Sequence, residues 1–521
     1  MSDALDRLER SIFSNDEHLP DEQQTSSIER HPRAYQIFLT CTALIGYTFI
    51  FGLPILGSLL LALIPNQIIS AADYISVSVI FIELGIVIIA FSLSAALYQL
   101  KIALPAGRPL SDAEAPKLFA LIKELNKELL SQKFQPRIQH VKISQHYEIT
   151  THRTPTNGFP LFFTNTLVIG LPLLQSHSPK QIKTLISREI IHLSGSRLRL
   201  SSWLFFAGKY WQQYNNALKK QVITPNIFLL FFFSWYAPLY KLFAQEVENI
   251  ETHFVDDAIA KNSGLKNIAD TLAHNYIVRK FLYQSFWPHL NNKAYRHKTP
   301  PYLPYSSLER NLKSELDSLT SQSWLDSITL DRDESQRSPD LLARLKKLNV
   351  TQPSLPEHHQ VSAAQYFLSD TLAKLIKQMD KLWLVSNQFT WQKKYQKGQT
   401  EITELKELGI QAKQSLLSDD RMWDYIQLIK RYIDKGEAIK LYKQILQMDT
   451  RDARISFEIG RTLLDHMDSD GIDALEATIK NEPGYTLMVC QILTRYYTRT
   501  GDNRSAQTCR RRALAYQVDA A

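Results

Sequence analysis

The chain has 521 residues, a net charge of +8 and three cysteines. That length gives room for several domains with ample buried core. The basic residues are scattered without the aromatic interleaving of a nucleic-acid surface, so no nucleic-acid partner is expected. Cys41, Cys490 and Cys509 are odd in number and far apart, which excludes a disulfide framework or cysteine metal cluster and fits a reducing compartment.

Residues 1–33 read as a polar, acidic tail with no signal-peptide pattern. Two apolar runs follow, roughly Ala34–Ile64 and Tyr74–Leu97, each long enough to cross about 30 Å of hydrocarbon. The loop between them, Pro65 to Asp73, has no Lys or Arg, whereas Arg30, Arg33, Lys101 and Arg108 flank the outer ends. By the positive-inside rule, residues 34–100 form a hairpin with both ends in the cytoplasm. Glu83 sits mid-span, where an acid is either functional or protonated and bonded to a neighbouring helix.

From Ser111 to Ser131, Leu118, Leu121, Ile122 and Leu125 share one face of a helix. Val141–Thr151 and Thr166–Gly170 read as strands. Ser178 suits an N-cap and Pro179 a first helical position. The helix they open carries Arg188-Glu189-Ile190-Ile191-His192, which has the shape of the zinc motif H-E-x-x-H with arginine in first place. Positions i and i+4 share a helical face, so two histidines there can hold one metal while the Glu activates its water. A guanidinium stays protonated and puts a fixed cation where a metal should bind.

An aromatic segment near 199–243 includes Trp203, Trp211 and the run Ile227–Leu239, which is short for a span and reads as interfacial or buried. A second helix is expected from Gln245 to about Lys261. Residues 288–340 read as a long loop region with short helices, and helices resume from Leu341. In the last third, small residues Ala438, Gly471 and Ala506 recur about every 34 residues. Tyr442 and Leu475 recur likewise, as do Ile445, Thr478 and Ala513. This is the tetratricopeptide pattern of stacked helix pairs, with an ordinary helical bundle as the alternative.

Taken in order, these features resemble the HtpX and CAAX-prenyl-protease family of membrane zinc metallopeptidases (metallopeptidase family forty-eight), in members with a tetratricopeptide tail. The resemblance is carried from about residue 30 to the end by Tyr98-Gln99-Leu100-Lys101, Ala115-Pro116-Lys117-Leu118, Gly170-Leu171-Pro172-Leu173-Leu174, His192-Leu193-Ser194-Gly195, Trp235-Tyr236-Ala237-Pro238, Pro300-Pro301 and Arg344-Leu345 with Leu348. It implies a mainly α protein with a small β-sheet. The implied parts are a tail at 1–33, a transmembrane hairpin at 34–100, a zincin-like α+β domain at 101–349, a helical connector at 350–420 and an α-solenoid at 421–521. It also implies a bacterial inner membrane location, with the soluble parts on the cytoplasmic side.

The resemblance makes Glu189 the general base, His192 a zinc ligand and Arg188 the replacement of the first ligand histidine. It makes His253 the replacement of a later ligand glutamate, in His253-Phe254-Val255-Asp256-Asp257-Ala258, with Asp257 as the supporting carboxylate. Tyr147-Glu148-Ile149 departs from the family's substrate strand, and Ser338-Pro339 from its His-Pro element. Catalytic zinc needs three protein ligands and an open water position, so the expected site is metal-free, with Arg188 paired to Asp257. The reading that follows is a membrane-anchored pseudoprotease that binds protein partners. Its alternatives are a zinc endopeptidase with unusual ligands and a repeat scaffold carrying a relic protease domain.

Overall fold

The computed structural model describes residues 32–520 apart from 71–73, 130–136, 158, 195–198, 222–225, 318–340, 351–352, 355–358, 415–416 and 449–451. Most of the polar tail, Arg30 and Ser338-Pro339 lie outside the described residues. Among the described residues the protein is mainly helical with one four-stranded sheet, and it divides into two units.

In the first unit, Thr25–Leu290 with Tyr302–Ser386, α1 (Pro32–Ser70) and α2 (Tyr74–Tyr98) are the two expected apolar helices. The expected loop from Pro65 is shorter than anticipated, because α1 stays helical through Pro54 and Pro65. The two helices pair closely at Gly57, where an added Cβ would stand 3.3 Å from Ala90 and from Phe91. Glu83 is half-buried on α2.

Later in this unit α6 (Arg199–Lys220) is followed by α7 (Asn226–Ser263). One continuous α7 replaces the expected short aromatic run and separate second helix. Its stretch Ile227–Ala244 joins Ala34–Asn66 and Ser78–Tyr98 as a third segment long and apolar enough to cross a membrane. The expected end at Leu239 is corrected because Leu242, Phe243 and Ala244 resume the apolar pattern after Lys241, whose long stem can lie along apolar surface.

The Tyr236 hydroxyl donates to the Thr42 carbonyl at 2.6 Å and accepts from the Gly46 amide at 3.2 Å. It thereby enters the α1 backbone ladder at a position where only glycine leaves room: a Cβ on Gly46 would lie 2.8 Å from that ring. Phe49 stacks on Phe232 at 3.9 Å, and Tyr35 donates to the Phe243 carbonyl at 2.5 Å. Thus α7 runs antiparallel along the first half of α1, while α2 covers the second half. The α6 helix completes this bundle. Leu204 accepts from the Tyr240 hydroxyl at 2.9 Å, and Gln212 donates to the Ala237 carbonyl at 3.0 Å.

The sheet contains β1 (Arg108–Leu110), β2 (His140–Ser144), β3 (Ile149–Asn157) and β4 (Phe159–Gly170) in the order β1-β2-β4-β3. β2 and β4 are parallel, and the other two pairings are antiparallel. The expected strand Val141–Thr151 is therefore two strands, broken at 145–148. β4 also begins seven residues earlier than expected, since the mainly apolar stretch ahead of Thr164 also pairs with β3, from Asn157 opposite Phe159. The break is tight at Gly170, whose amide donates to the Glu148 carbonyl at 2.8 Å; a Cβ there would collide with the His146 carbonyl.

α5 (Pro179–Ser194) packs on β3, α6 and α7, with α3 (Pro116–Leu129) against α5 and α4 (Leu171–Ser176) against β4. Then come α8 (Leu265–Lys280), α9 (Pro304–Asp317), α10 (Leu341–Lys347) and the long α11 (Ala363–Lys413), which continues into the second unit. The α5 start is a reciprocal cap: Ser178 N–H donates to Gln181 Oε1 at 2.9 Å, and Gln181 N–H to Ser178 Oγ at 3.3 Å.

The second unit includes Asn291–Pro301 and Asn387–Ala521. Its helices α12 (Asp419–Tyr432), α13 (Lys435–Leu446), α14 (Ala453–Asp465), α15 (Asp470–Asn481), α16 (Thr486–Thr500) and α17 (Asn503–Ala520) succeed one another across short turns. The recurring residues Ala438, Tyr442, Ile445, Gly471, Leu475, Thr478, Ala506 and Ala513 are all buried.

Candidate functional site

The apolar face of α5, made by Ile182, Leu185, Ile186, Ile190 and Leu193, is buried. That burial fixes the helix's rotation and turns Arg188, Glu189 and His192 towards β3, α6, α7 and α10. The Glu189 carboxylate accepts the backbone N–H of Thr151 at 2.7 Å. Thr151 belongs to the sheet's edge strand β3, so this bond satisfies one outward backbone donor of that edge.

Asp256, on α7, is the centre of the charge arrangement. It is 1% exposed and accepts two bonds from Arg344 of α10, Nε to Oδ2 at 2.7 Å and Nη2 to Oδ1 at 2.8 Å. Arg188 Nε stands 3.8 Å from Oδ1, an ionic approach longer than a hydrogen bond. One carboxylate is thus held between two guanidinium groups, the first in the bidentate geometry that makes such pairs strong. The expected partner of Arg188 was Asp257, and this is corrected: Asp257 is exposed, and the carboxylate one residue earlier faces inward. The two neighbours differ by about 100° around the helix, so only one can point at α5.

His192 shares the face of Arg188. Loss of hydration, and then Arg188, Lys209 and Arg344, hold its imidazole well below the ordinary histidine range and keep it neutral. Loss of hydration also lowers His253 on α7; Lys347 and Arg344 add to this, and Asp256 and Asp257 oppose it. Arg344 therefore bears on both histidines that the sequence offered as metal ligands. Among the described residues, no three His, Cys, Asp or Glu side chains converge on a point where a metal could sit. The donors do not fit zinc: two fixed guanidinium groups repel a divalent cation, and Glu189 is occupied by the strand.

Tyr147 and Glu148, where the resemblance implies a substrate strand, have partners within the fold. Tyr147 is buried, and its hydroxyl donates to Asn275 Oδ1 at 2.7 Å. Glu148 Oε1 accepts from Ser144 Oγ at 2.8 Å. Sequence reasoning missed Asp256, Lys209 and the role of Arg344. The available signal was the doublet Asp256-Asp257, three and four residues after His253 and so near it on the helix surface.

A second polar cluster, also unforeseen, lies where α4, α5 and α8 meet. His177 is fully buried, and its Nδ1 lies 3.1 Å from the Leu173 carbonyl and 2.9 Å from Ser176 Oγ. His274 Nε2 contacts the Ser176 carbonyl at 2.8 Å, and its ring stands edge-on to His177 at 4.8 Å. His359 lies 5.0 Å from His274 and contacts Gln181 Oε1 at 2.8 Å. Burial, and then the other two rings, push the His177 pKa well below the usual value.

The chain has no significant match to any protein-family model, curated protein or solved structure.

Proposed function

We propose that this is a membrane-anchored protein of HtpX-like metallopeptidase type whose peptidase chemistry is silent and which acts by binding protein partners. The observation that carries the reading is the clamping of Asp256 by Arg344 and Arg188 beside His192. A hydrolytic zinc site needs a divalent cation to lower the pKa of its water to about 7. Here the first ligand position holds a guanidinium, and the carboxylate that would act as general base is spent on Thr151.

In this reading residues 101–349 are a zincin-like domain that has exchanged a metal for an ion-pair cluster. The helix pairs of 421–521 are tetratricopeptide-like and offer the partner-binding surface. Three apolar helices support membrane association, and the flanking basic residues favour an inner membrane with the soluble parts in the cytoplasm.

Elemental analysis of the detergent-purified protein tests the metal question, run beside the Arg188→His, His253→Glu double variant. The wild type should carry no stoichiometric zinc. Zinc at one equivalent, lost in His192→Ala and accompanied by casein cleavage that Glu189→Gln abolishes, would establish the zinc endopeptidase instead.

A further inference from the structure

A cleft of about 670 Å³ opens where α2 ends, lined by Tyr98, Gln99, Lys101, Leu104, Thr156 and Thr164 among others. One wall is the exit of an apolar helix, and the other is the β3–β4 hairpin. The chemistry along it is graded. Tyr98 and Leu104 are exposed apolar groups at 59% and 61%, and Phe162 on the hairpin is exposed at 74%. Lys101 supplies an exposed cation, with threonine hydroxyls and the Gln99 amide beside it.

The basic character extends to a neighbouring helix. Gln221 Nε2 donates to the Lys101 carbonyl at 2.9 Å, and the Lys101 amide reaches Gln221 Oε1 at 3.5 Å. This pairing sets the last turn of α6, with exposed Lys219 and Lys220, next to Lys101. Lys101 thus lies in the cleft where the α2 segment Ser78–Tyr98 ends, with Lys219 and Lys220 exposed on the adjoining helix turn. Such charges belong at a bilayer surface, where an anionic lipid attracts each of them. An aromatic ring with a polar end, such as Tyr98, prefers the same level.

We propose that this cleft is a binding site for the headgroup of an anionic phospholipid drawn from the bilayer that α2 crosses. Lys101 meets the phosphate, with Lys219 and Lys220 on the adjoining turn adding to the positive field. Gln99 and the Thr164 hydroxyl donate to its oxygens, and Tyr98 and Leu104 line the start of the acyl chains, with exposed Phe162 further along the hairpin. The occupant is a lipid and not a soluble anion, because the cleft is continuous with the apolar surface of α2 and carries exposed apolar side chains that a free phosphate would leave in water. The proposal depends on membrane anchoring and is independent of whether the Arg188 site is silent.

Native mass spectrometry of the full chain in detergent, titrated with phosphatidylglycerol or phosphatidylcholine, tests it. The wild type should retain phosphatidylglycerol preferentially. Lys101→Ala should weaken that retention by about fivefold, with further loss in the triple Lys101, Lys219, Lys220→Ala variant. Phe162→Ser should weaken both lipids alike. These side chains are exposed, so unchanged helix content and thermal midpoint serve as the folding control. Equal retention of the two lipids, no effect of the triple variant, or full displacement of lipid by millimolar inorganic phosphate would each overturn the proposal.

Discussion

Two buried polar clusters stand in one unit and solve the same problem in opposite ways. Asp256 is a buried carboxylate set against guanidinium groups, whereas His177 is held neutral beside other imidazoles. Burying a charge is tolerable only with hydrogen-bonded partners of opposite charge; burying a neutral ring needs hydrogen bonds but no counter-charge. The first cluster should therefore fail when a partner is removed, and the second when the solution is acidified.

The largest effect is expected at the first cluster. Asp256→Ala leaves Arg344 buried without its carboxylate and should lower unfolding stability by about 3–5 kcal/mol, read from denaturant melts in detergent. A change within about 0.5 kcal/mol, the size typical of surface substitutions, would mean the clamp is not formed in solution.

The next effect is a pH dependence. The folded-state pKa of His177 lies below its unfolded value near 6.5, so the unfolded chain binds the extra proton. The stability that neutral His177 contributes is intact above about pH 6.5 and is lost as the pH falls below it, at about 1.4 kcal/mol per pH unit for one group. His192 contributes in the same direction, so the test is a comparison: His177→Gln should flatten the acid limb of the stability profile. An acid limb of unchanged slope would remove the contrast between the clusters.

The smallest effects separate the two arms of the clamp. Arg188 approaches Asp256 at 3.8 Å without the paired bonds of Arg344, so Arg188→Leu should cost about 1 kcal/mol. Asp257→Asn, at an exposed position, should fall within about 0.5 kcal/mol of wild type. If Asp257→Asn were instead the more damaging change, the assignment of the inward carboxylate would be reversed.

What was legible in the sequence was local. Ser178-Pro179 and the apolar spacing of Ile182, Leu185 and Ile186 define α5, because caps and period act within one turn or two. The apolar lengths of α1 and α2 were equally plain. The choice between Asp256 and Asp257 was not, since it depends on the rotation of α7 against α5. The Arg344 pairing joins positions 88 residues apart and leaves no local trace. The third apolar segment was cut short at Lys241 because a lysine counts against a span by composition, although its stem does not interrupt the helix. The early start of β4 was hidden by Thr164 and Asn165, polar residues that pairing with β3 carries into the sheet.

The continuity of α7 has a mechanical consequence. Its first half grips α1 through Tyr236, and its second half ends in the carboxylate held by Arg344. Between them Pro238 removes one backbone donor, which is where a helix bends most easily. Asp256 lies 18 residues beyond, about 27 Å along the axis. A tilt of about 5° at that proline swings the far end by about 2 Å, enough to part hydrogen bonds of 2.7 and 2.8 Å. The two hydrogen bonds of the clamp are therefore sensitive to small bends of α7 at Pro238, a site held on one side by the aromatic bundle.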